Sequence, residues 1–471
     1  MIDGLKPYAE YEDSGLPWVG RIPAHWGSLR GKALFSESHL PVCESDEIVT
    51  CFRDGQVTLR RNRRTSGFMV ALLEAGYQGV RKGQLVIHSM DAFAGAVGVS
   101  DSNGKCTPEY IVCTPRSSGS VPGYFAVVLR LAAQTNFIQV ACPAVRERAP
   151  RLRYPNFGDM QLPVPDSDEQ TAIVRFLNHA NRRIERYIRA KKKLVALLNE
   201  QKQAIIHRAT TRGLDPNIRL KPSGIPWLGD IPEHWDCRKL KHLTQFVNGL
   251  AFKPGDWKSS GTPIIRIQNL NGSEEFNFTV RNDLSESLLI QPGELLFSWS
   301  GNRGTSFGPF IWAQSFRGYL NQHIFKLTGY TLHKRYFYYL LRAVTRHVEE
   351  QTHGIIGLVH ITKPELGSIV VPVATSQEQE AIANHVDRQC IQLDRAISRT
   401  ERQIALIREY RTRLIADVVT GQLDVRVAAA RLPDEPEELE PLDEAEHVEE
   451  VNGDEDTDSE VDEVGNSPRI G

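Results

Sequence analysis

The chain has 471 residues, of which 41% are hydrophobic and 24% charged, and its formal net charge is −2. This is an ordinary composition for a water-soluble globular protein of several domains. No apolar run reaches the ~18 residues that a membrane span requires, and the polar N-terminus is unlike a signal peptide. The seven cysteines are scattered, without a C-x-x-C pair. They therefore favour reduced thiols in the cytoplasm over a disulfide framework or a zinc site.

The near-neutral net charge combines a basic body with an acidic C-terminal segment. The residues after Arg431 include 17 of the 58 acidic residues and only one of the 56 basic residues, so the remainder carries 55 basic against 41 acidic residues. We predict that residues 421–471 form a disordered acidic tail. A body of positive charge suits a polyanionic partner.

The first predicted element is an entry motif at residues 14–26, SGLPWVGRIPAHW. Residues 223–235 read SGIPWLGDIPEHW, so nine of thirteen positions are identical at an offset of 209. Prolines and glycines at fixed places predict a rigid irregular segment anchored by its tryptophans. We interpret His25 and His234 as hydrogen-bonded core groups rather than ligands.

Each entry motif is followed by a variable segment, residues 27–165 and residues 236–374. Both consist of short strand-like runs bounded by glycine, proline and asparagine. Residues 84–88 and 294–299 each lead into a glycine-rich turn, and residues 124–130 resemble residues 336–342 at an offset of 212. A shared frame with different surface residues indicates that the two segments do different versions of one task.

Two long helices complete the repeat. Asp166 and Glu169 form a predicted capping box, as Thr375 and Glu378 do 209 residues later. A heptad seam follows in each helix. The seam residues are Ile173, Leu177, Ala180, Ile184, Tyr187, Lys191, Leu194, Leu198, Gln201 and Ile205, then Ile382, Val386, Gln389, Leu393, Ala396, Thr400, Gln403, Ile407, Tyr410 and Leu414. Each helix should span roughly 65 Å.

The short linker at residues 214–222 suggests how the helices pair. Domain termini usually lie close together, so the end of the first helix and the start of the second should both lie beside the second globular segment. The fold class is therefore predicted as α+β, with two globular α/β domains separated by two long helices in an antiparallel coiled coil. The result is an internal repeat with pseudo-two-fold symmetry.

The sequence lacks G-x-x-x-x-G-K-[ST], G-x-G-x-x-G after a strand, H-E-x-x-H, G-x-S-x-G and [N/D]-P-P-[Y/F] motifs, which lowers the expectation of an enzyme. Basic and amide side chains suited to DNA remain, since arginine can pair with guanine and asparagine or glutamine with adenine. The candidates in the first segment are Arg60, Arg61, Asn62, Arg63, Arg64, Arg146, Arg148, Arg151 and Arg153. Those in the second are Arg266, Gln268, Asn269, Asn271 and Arg303.

Residues 8–425 resemble the DNA-specificity subunit of type I restriction-modification systems. The resemblance rests on the twin entry motifs, IRIQNLNG at 265–272, NQHIFKL at 321–327 and the Glu-Gln pairs that open both helices. It implies that each variable segment is a target-recognition domain that reads half of a bipartite double-stranded DNA site. The helices would set the spacing and dock two modification (methyltransferase) subunits.

The resemblance also implies that this chain is non-catalytic, with no cofactor, no metal and no membrane partner of its own. S-adenosylmethionine, ATP and Mg would belong to the modification and restriction subunits. The implied domains are residues 1–165 and 214–374 for recognition, 166–213 and 375–420 for the helices, and 421–471 for the tail. Two alternatives remain: a coiled-coil scaffold whose ends bind proteins, and a fused enzyme with a divergent active site. Salt-sensitive DNA binding would argue against the first, and methyl transfer by the chain alone would support the second.

Overall fold

A computed structural model describes residues 5–63, 76–142, 151–351 and 358–433. Its mixture of helices and strands agrees with the predicted α+β class. The chain divides into two compact units. Unit 1 comprises residues 1–187 and 407–471, and unit 2 comprises residues 188–406. No helix in the described ranges is long and apolar enough to cross a membrane.

Unit 1 contains twelve of the described strands and several short helices. The strands are β1 (Tyr11–Leu16), β2 (Gly20–Pro23), β3 (Gly27–Arg30), β4 (Phe35–Glu37), β5 (Val49–Cys51), β6 (Val57–Leu59), β7 (Gln78–Val80), β8 (Leu85–His88), β9 (Val97–Val99), β10 (Gly104–Cys106), β11 (Tyr110–Pro115) and β12 (Gln161–Val164). The helices are α1 (Gly31–Leu34), α2 (Pro122–Gln134), α3 (Phe137–Ala141) and α4 (Tyr154–Asp159), followed by the long α5 (Ser167–Arg212), which continues into unit 2.

Unit 2 repeats this order with insertions. Its strands are β13 (Leu220–Pro222), β14 (Asp230–Pro232), β15 (Asp236–Lys239), β16 (Gln245–Asn248), β17 (Thr262–Ile265), β18 (Asn277–Thr279), β19 (Leu289–Ile290), β20 (Leu295–Ser298), β21 (Ser300–Asn302), β22 (Gly308–Ile311), β23 (Gly318–Leu320), β24 (Ile324–Thr328), β25 (Leu358–His360) and β26 (Val370–Val373). Its helices are α6 (Ile267–Leu270), α7 (Lys334–Gln351), α8 (Lys363–Ser368) and the long α9 (Ser376–Val419), which ends in unit 1 and is followed there by α10 (Arg426–Ala430).

The central sheets of the two units have the same strand order. In unit 1 the order is β4-β11-β8-β9, and in unit 2 it is β16-β24-β20-β22. All neighbours within these sheets are antiparallel. Apolar runs such as Leu85–His88 build the interior, and the aromatic pairs Tyr124-Phe125 of α2 and Tyr336-Phe337 of α7 are fully buried. The matching order explains why the spacing of strands and helix recurs in the sequence.

The entry motifs form hairpins rather than irregular segments. Strand β1 pairs with β2, and β13 pairs with β14, both antiparallel. The final tryptophans of the motifs, Trp26 and Trp235, are buried as predicted, at 3% and 0% exposure. His25 and His234 lie at the surface instead of in the core, with side chains 43% and 44% exposed.

The Glu-Gln pair at the start of each long helix anchors that helix to its own unit. Glu378 exchanges hydrogen bonds with the cap residue Thr375 and also accepts from His234 Nε2 at 3.0 Å and Trp235 Nε1 at 3.0 Å. Burial by itself would raise the pKa of Glu378, but these donors outweigh it and lower the pKa. Gln379 donates to the Ala374 carbonyl at 2.8 Å and accepts from the backbone N–H of His333 at 2.8 Å.

In unit 1 the same pair makes related contacts. The N–H of Glu169 donates to Asp166 Oδ1 at 2.8 Å, while the Glu169 carboxylate meets His25 Nε2 at 2.9 Å and accepts from the Tyr8 hydroxyl. Tyr8 thus takes the role that a tryptophan has in unit 2, and Trp26 Nε1 has no hydrogen-bond partner among the described residues.

Only some of the residues predicted for the heptad seams are buried. Leu177, Ile184, Val386 and Leu414 are buried. The side chains at the predicted positions Tyr187, Leu194, Gln201 and Tyr410 are exposed, and in each case the next residue is better buried. Residues spaced by three or four positions lie on the same face of a helix, so the sequence spacing fits more than one choice of seam residue. Packing then determines whether Tyr187 or its neighbour Ile188 is buried.

Ion pairs join α5 and α9 within each unit. Arg411 of α9 pairs with Glu185 of α5 at 3.2 Å in unit 1. Lys202 of α5 pairs with Asp394 of α9 at 2.5 Å in unit 2. These are the same pair in the internal repeat, because both partners are related by an offset of 209.

The predicted tail begins too early. Residues 421–433 fold onto unit 1, where Val425 and Ala429 are buried and Arg175 donates to the carbonyls of Leu432 and Pro433 at 2.7 and 3.2 Å. Within the segment VRVAAARL, Val425 and Ala429 provide the apolar surface that packs. The acidic part of the prediction, residues 434–471, lies outside the described residues.

Candidate nucleic-acid interface

The arginine cluster of unit 1 follows a hairpin. Strand β5 pairs with β6 in antiparallel register from Val49–Leu59 to Cys51–Val57. The chain then turns through a short 3₁₀ helix, Arg60–Asn62. The charged residues come at the end of a strand whose Val57 and Thr58 are buried, so they project from a fixed backbone.

Most of these side chains are held by neighbours. The Arg63 guanidinium lies 4.3 Å from the centre of the Phe52 ring and 2.6 Å from Asp54, which leaves only 18% of the side chain exposed. Asn62 donates to Thr58 Oγ1 at 2.8 Å. Arg61 is 65% exposed and reaches Glu47 at 2.7 Å, and Arg60 donates to Thr50 Oγ1 at 3.3 Å. Arg61 is therefore the most exposed arginine in the described part of this turn.

The second predicted cluster of unit 1 is only partly described. Arg64, Arg146 and Arg148 lie outside the described residues. Arg151 reaches Glu109 at 3.4 Å and Met90 Sδ at 3.5 Å, and exposed Arg153 precedes α4. Arg53, which the sequence did not single out, pairs with Asp91 at 3.2 Å, one residue from Met90. Arg53 therefore brings the hairpin tip close to Arg151.

Unit 2 presents a shorter turn after β17. Strand β17 ends at Ile265, and Ile267–Leu270 form the short helix α6. Asn269 is 4% exposed. Its Oδ1 accepts from the backbone N–H of Arg266 at 2.9 Å, and its Nδ2 donates to the carbonyls of Ser273 and Glu275 at 3.1 and 2.8 Å. Its amide shapes the turn, so it is not available to read a base.

The remaining candidates of this turn face solvent. Gln268 and Asn271 are exposed. Arg266 donates to Asn277 Oδ1 at 3.0 Å, and its guanidinium lies 5.5 Å from the centre of the Trp257 ring. Trp257 is itself 38% exposed. Sequence reasoning missed Trp257, although a lone tryptophan in the polar stretch GDWKSSG was an available signal. A held arginine beside an exposed aromatic ring and two amides can contact base edges.

Arg303 belongs to a different part of unit 2. Its Nη2 donates to the Glu349 carbonyl at 2.5 Å, and the next residue, Gly304, donates its N–H to the Glu349 carboxylate at 2.8 Å. These bonds join the glycine turn to α7. Arg303 also lines a 440 Å³ cavity with Lys202, Arg342 and Arg346.

Nothing in the described ranges resembles a metal centre, since no group of three or more histidine, cysteine, aspartate and glutamate side chains could hold an ion. All seven cysteines lie within the described ranges and are free thiols. The candidate turns themselves carry arginine donors and exposed amides, Gln268 and Asn271 among them. Such groups suit recognition by hydrogen bonding.

Residues 232–405 match the family model of the type I restriction modification DNA specificity domain. The chain is 25% identical over 198 residues to the type I restriction enzyme EcoBI specificity subunit of Escherichia coli. That alignment covers 41% of this chain and only 40% of the relative. The chain is also 22% identical to the putative type I restriction enzyme MjaX specificity subunit of Methanocaldococcus jannaschii, over 90% of this chain and all of that protein.

A solved structure, described as the basis of complex assembly and conformational transition of the type I R-M system, shares the fold. Its TM-score is 0.60 at 13% sequence identity, and the match covers 84% of this chain and 98% of that one. The likeness extends over both units.

Proposed function

The resemblance to the DNA-specificity subunits of type I restriction-modification systems is confirmed, and from it we propose that this chain is the DNA-recognition subunit of such a system. Each unit reads one half of a bipartite target. The chain itself is non-catalytic and acts in the cytoplasm. Methylation with S-adenosylmethionine, and cleavage that consumes ATP with Mg, belong to partner subunits.

One observation carries the bipartite proposal: the two units share a sheet order but carry different polar turns. In unit 1 the turn offers Arg60, Arg61 and Arg63, whereas in unit 2 it offers Arg266 and Gln268. A common frame with different donor and acceptor sets suits two readers of different sequences. The excess of basic over acidic residues up to Arg431 adds an attraction to DNA phosphates that does not depend on the base sequence.

We assign the spacing of the half-sites to α5 and α9, paired as an antiparallel coiled coil. Support comes from the two ion pairs, Arg411 with Glu185 and Lys202 with Asp394, in which the N-terminal half of one helix meets the C-terminal half of the other. Exposed apolar side chains on both helices offer surfaces for two modification subunits, and restriction subunits would join the same complex. They are Tyr187 and Tyr410 in unit 1, and Leu194, Leu197, Ile391 and Leu406 in unit 2.

The experiment maps methylated sites in a random-sequence DNA library, using the full chain in complex with its modification subunits. Arg266→Ala with Gln268→Ala should relax base preference in one half-site only, by about 1–3 kcal/mol for each bidentate contact. Arg60→Ala with Asn62→Ala and Arg63→Ala should relax only the other half-site.

Two matched variants separate base reading from charge. Arg266→Lys keeps the charge but not the planar fork, so it should lose selectivity while retaining the salt dependence of binding. Arg317→Ala removes an exposed charge of unit 2 outside the candidate turn and should leave the motif unchanged. Relaxation of both halves by a variant in one unit would contradict the two-reader proposal. If the measured mass of the saturated complex corresponds to one modification subunit per chain, the proposed assembly with two modification subunits is contradicted.

A further inference from the structure

Arg130 of α2 and Arg342 of α7 occupy the same position in the two copies of the repeat, at an offset of 212. In unit 1 the tip of the β5–β6 hairpin covers this position. Gly55 is so close that a β-carbon there would lie 2.6 Å from Nη1 of Arg130. A β-carbon on Gly95 would lie 2.9 Å from the Arg53 carbonyl oxygen. The tip, residues 53–55, therefore lies between the glycine turn and α2.

The tip brings a negative charge to a buried arginine. Burial lowers the pKa of Arg130, and the carboxylate of Asp54, which pairs directly with Arg63 at 2.6 Å, acts on it from nearby in the opposite direction. Nε of Arg130 is buried and has no hydrogen-bond partner among the described residues. Arg411 also lies close enough to lower the pKa of Arg130 further. Unit 1 thus fills this position with its own Asp-Gly turn above a pair of cations.

In unit 2 the corresponding glycine turn, arginine and second cation surround a cavity. The 440 Å³ space is lined by Gly304 of the glycine turn, by Arg342 and by Lys202, which corresponds to Arg411. A volume of this size lies within the range of ligand sites. Lys202 pairs with Asp394 at 2.5 Å, and Arg346 pairs with Glu350 at 2.8 Å. Arg342 is half-buried and has no ion-pair partner in the described part of the chain.

We infer that this cavity is a docking site for an acidic turn of a partner protein, an aspartate followed by glycine. The turn would occupy the place that Asp54 and Gly55 occupy in unit 1, with its carboxylate toward Arg342. Three glutamates, Glu200, Glu349 and Glu350, also line the cavity. They disfavour a polyanion such as DNA, whereas a single carboxylate can reach the arginine between them. This inference goes beyond DNA reading and does not depend on it.

The test uses the chain's own hairpin as a probe. A fluorescent, backbone-cyclised peptide with the sequence of residues 49–59, carrying Cys51→Ser, is titrated against the full chain and followed by anisotropy at low salt. Saturable binding is expected, weakened about tenfold by Asp54→Asn in the peptide or by Arg342→Gln in the protein. Combining both changes should weaken binding little more than either alone, because they remove the same contact. Arg317→Gln is the matched protein control and should have no effect.

A second measurement does not rely on a variant. In the wild-type chain, the peptide should slow hydrogen exchange in the glycine turn around Gly304, in α7 and in the part of α5 around Lys202, and not elsewhere in unit 2. No saturable binding, or equal binding of the Asp54→Asn peptide, would overturn the inference. Competition by a short DNA duplex that is equally sensitive to Arg342→Gln would assign the cavity to phosphate instead. Binding seen only after removal of residues 434–471 would assign it to the chain's own acidic segment.

Discussion

Glu378 offers a direct measure of how strongly the entry motif holds the long helix. Glu378→Ala removes the only hydrogen-bond acceptor that the described residues provide for Trp235 Nε1, on a side chain that is 0% exposed. A buried donor without a partner costs about 1–3 kcal/mol. Loss of the bond to the N–H of Thr375, at 3.0 Å, adds roughly 1 kcal/mol. We expect unit 2 to lose about 2–4 kcal/mol of unfolding free energy from these two effects.

The assay is urea unfolding followed by mass-spectrometric hydrogen exchange of unit 2 peptides, in a double-mutant cycle with Trp235→Phe. Because Trp235→Phe removes the donor, Glu378→Ala should cost about 1–3 kcal/mol less in that background. The matched cycle in unit 1, Trp26→Phe with Glu169→Ala, should show almost no coupling, since Trp26 Nε1 has no hydrogen-bond partner among the described residues of that unit. Equal coupling in the two units would refute the reasoning.

The carboxylate of Glu378 also makes the unfolding free energy of unit 2 depend on pH. The folded-state pKa of Glu378 is lowered from its ordinary value of 4.5, so the stabilisation that Glu378 provides is fully present above that pH. The contribution is lost as the pH falls through the lowered pKa. Glu378→Gln should flatten this part of the acid profile.

Three further predictions concern unit 2. Asn269→Ala should reduce stability by about 1–3 kcal/mol in urea unfolding, whereas Gln268→Ala, on an exposed side chain, should change it by less than about 0.5 kcal/mol; equal costs would contradict a structural role for Asn269. The ring of His347 stacks on Trp227 at 4.8 Å, and burial lowers its pKa from 6.5, so the thermal midpoint should fall as the pH drops below that value, and His347→Phe should reduce the fall. Lys202→Glu should destabilise by about 0.2–1 kcal/mol, as expected of a partly exposed pair, and Asp394→Lys in the same chain should restore the loss; no rescue would exclude the helix ion pair.

The features predicted well from the sequence are those fixed by short-range chemistry. A cap residue and a glutamate three positions on contact each other whatever the rest of the fold does, so the starts of α5 and α9 could be located from Asp166 and Thr375. The twin hairpins were recognisable by their prolines and tryptophans, although their strands were not. The register between Tyr187 and Ile188 could not be predicted, because both are apolar and only packing distinguishes them.

The candidate site shows the same division. The turn after β17 was found from its polar residues, but Gln268 and Asn269 are both amides, and only the fold reveals that one faces solvent while the other closes the turn. Arg53 and Trp257 were missed because each stands alone in the sequence. Each joins its cluster through a contact with a residue from another part of its unit.

The division of the chain into units also has a consequence for biosynthesis. Unit 2 is one continuous stretch, residues 188–406, whereas unit 1 needs residues 407–433 as well as the N-terminus. Val418, Val419 and Val425 are buried in unit 1, and Lys6 bridges to Asp424. During translation, therefore, the second unit can complete its core while the first still waits for its last helix. We therefore expect the usual N-to-C order of domain completion on the ribosome to be reversed in this chain.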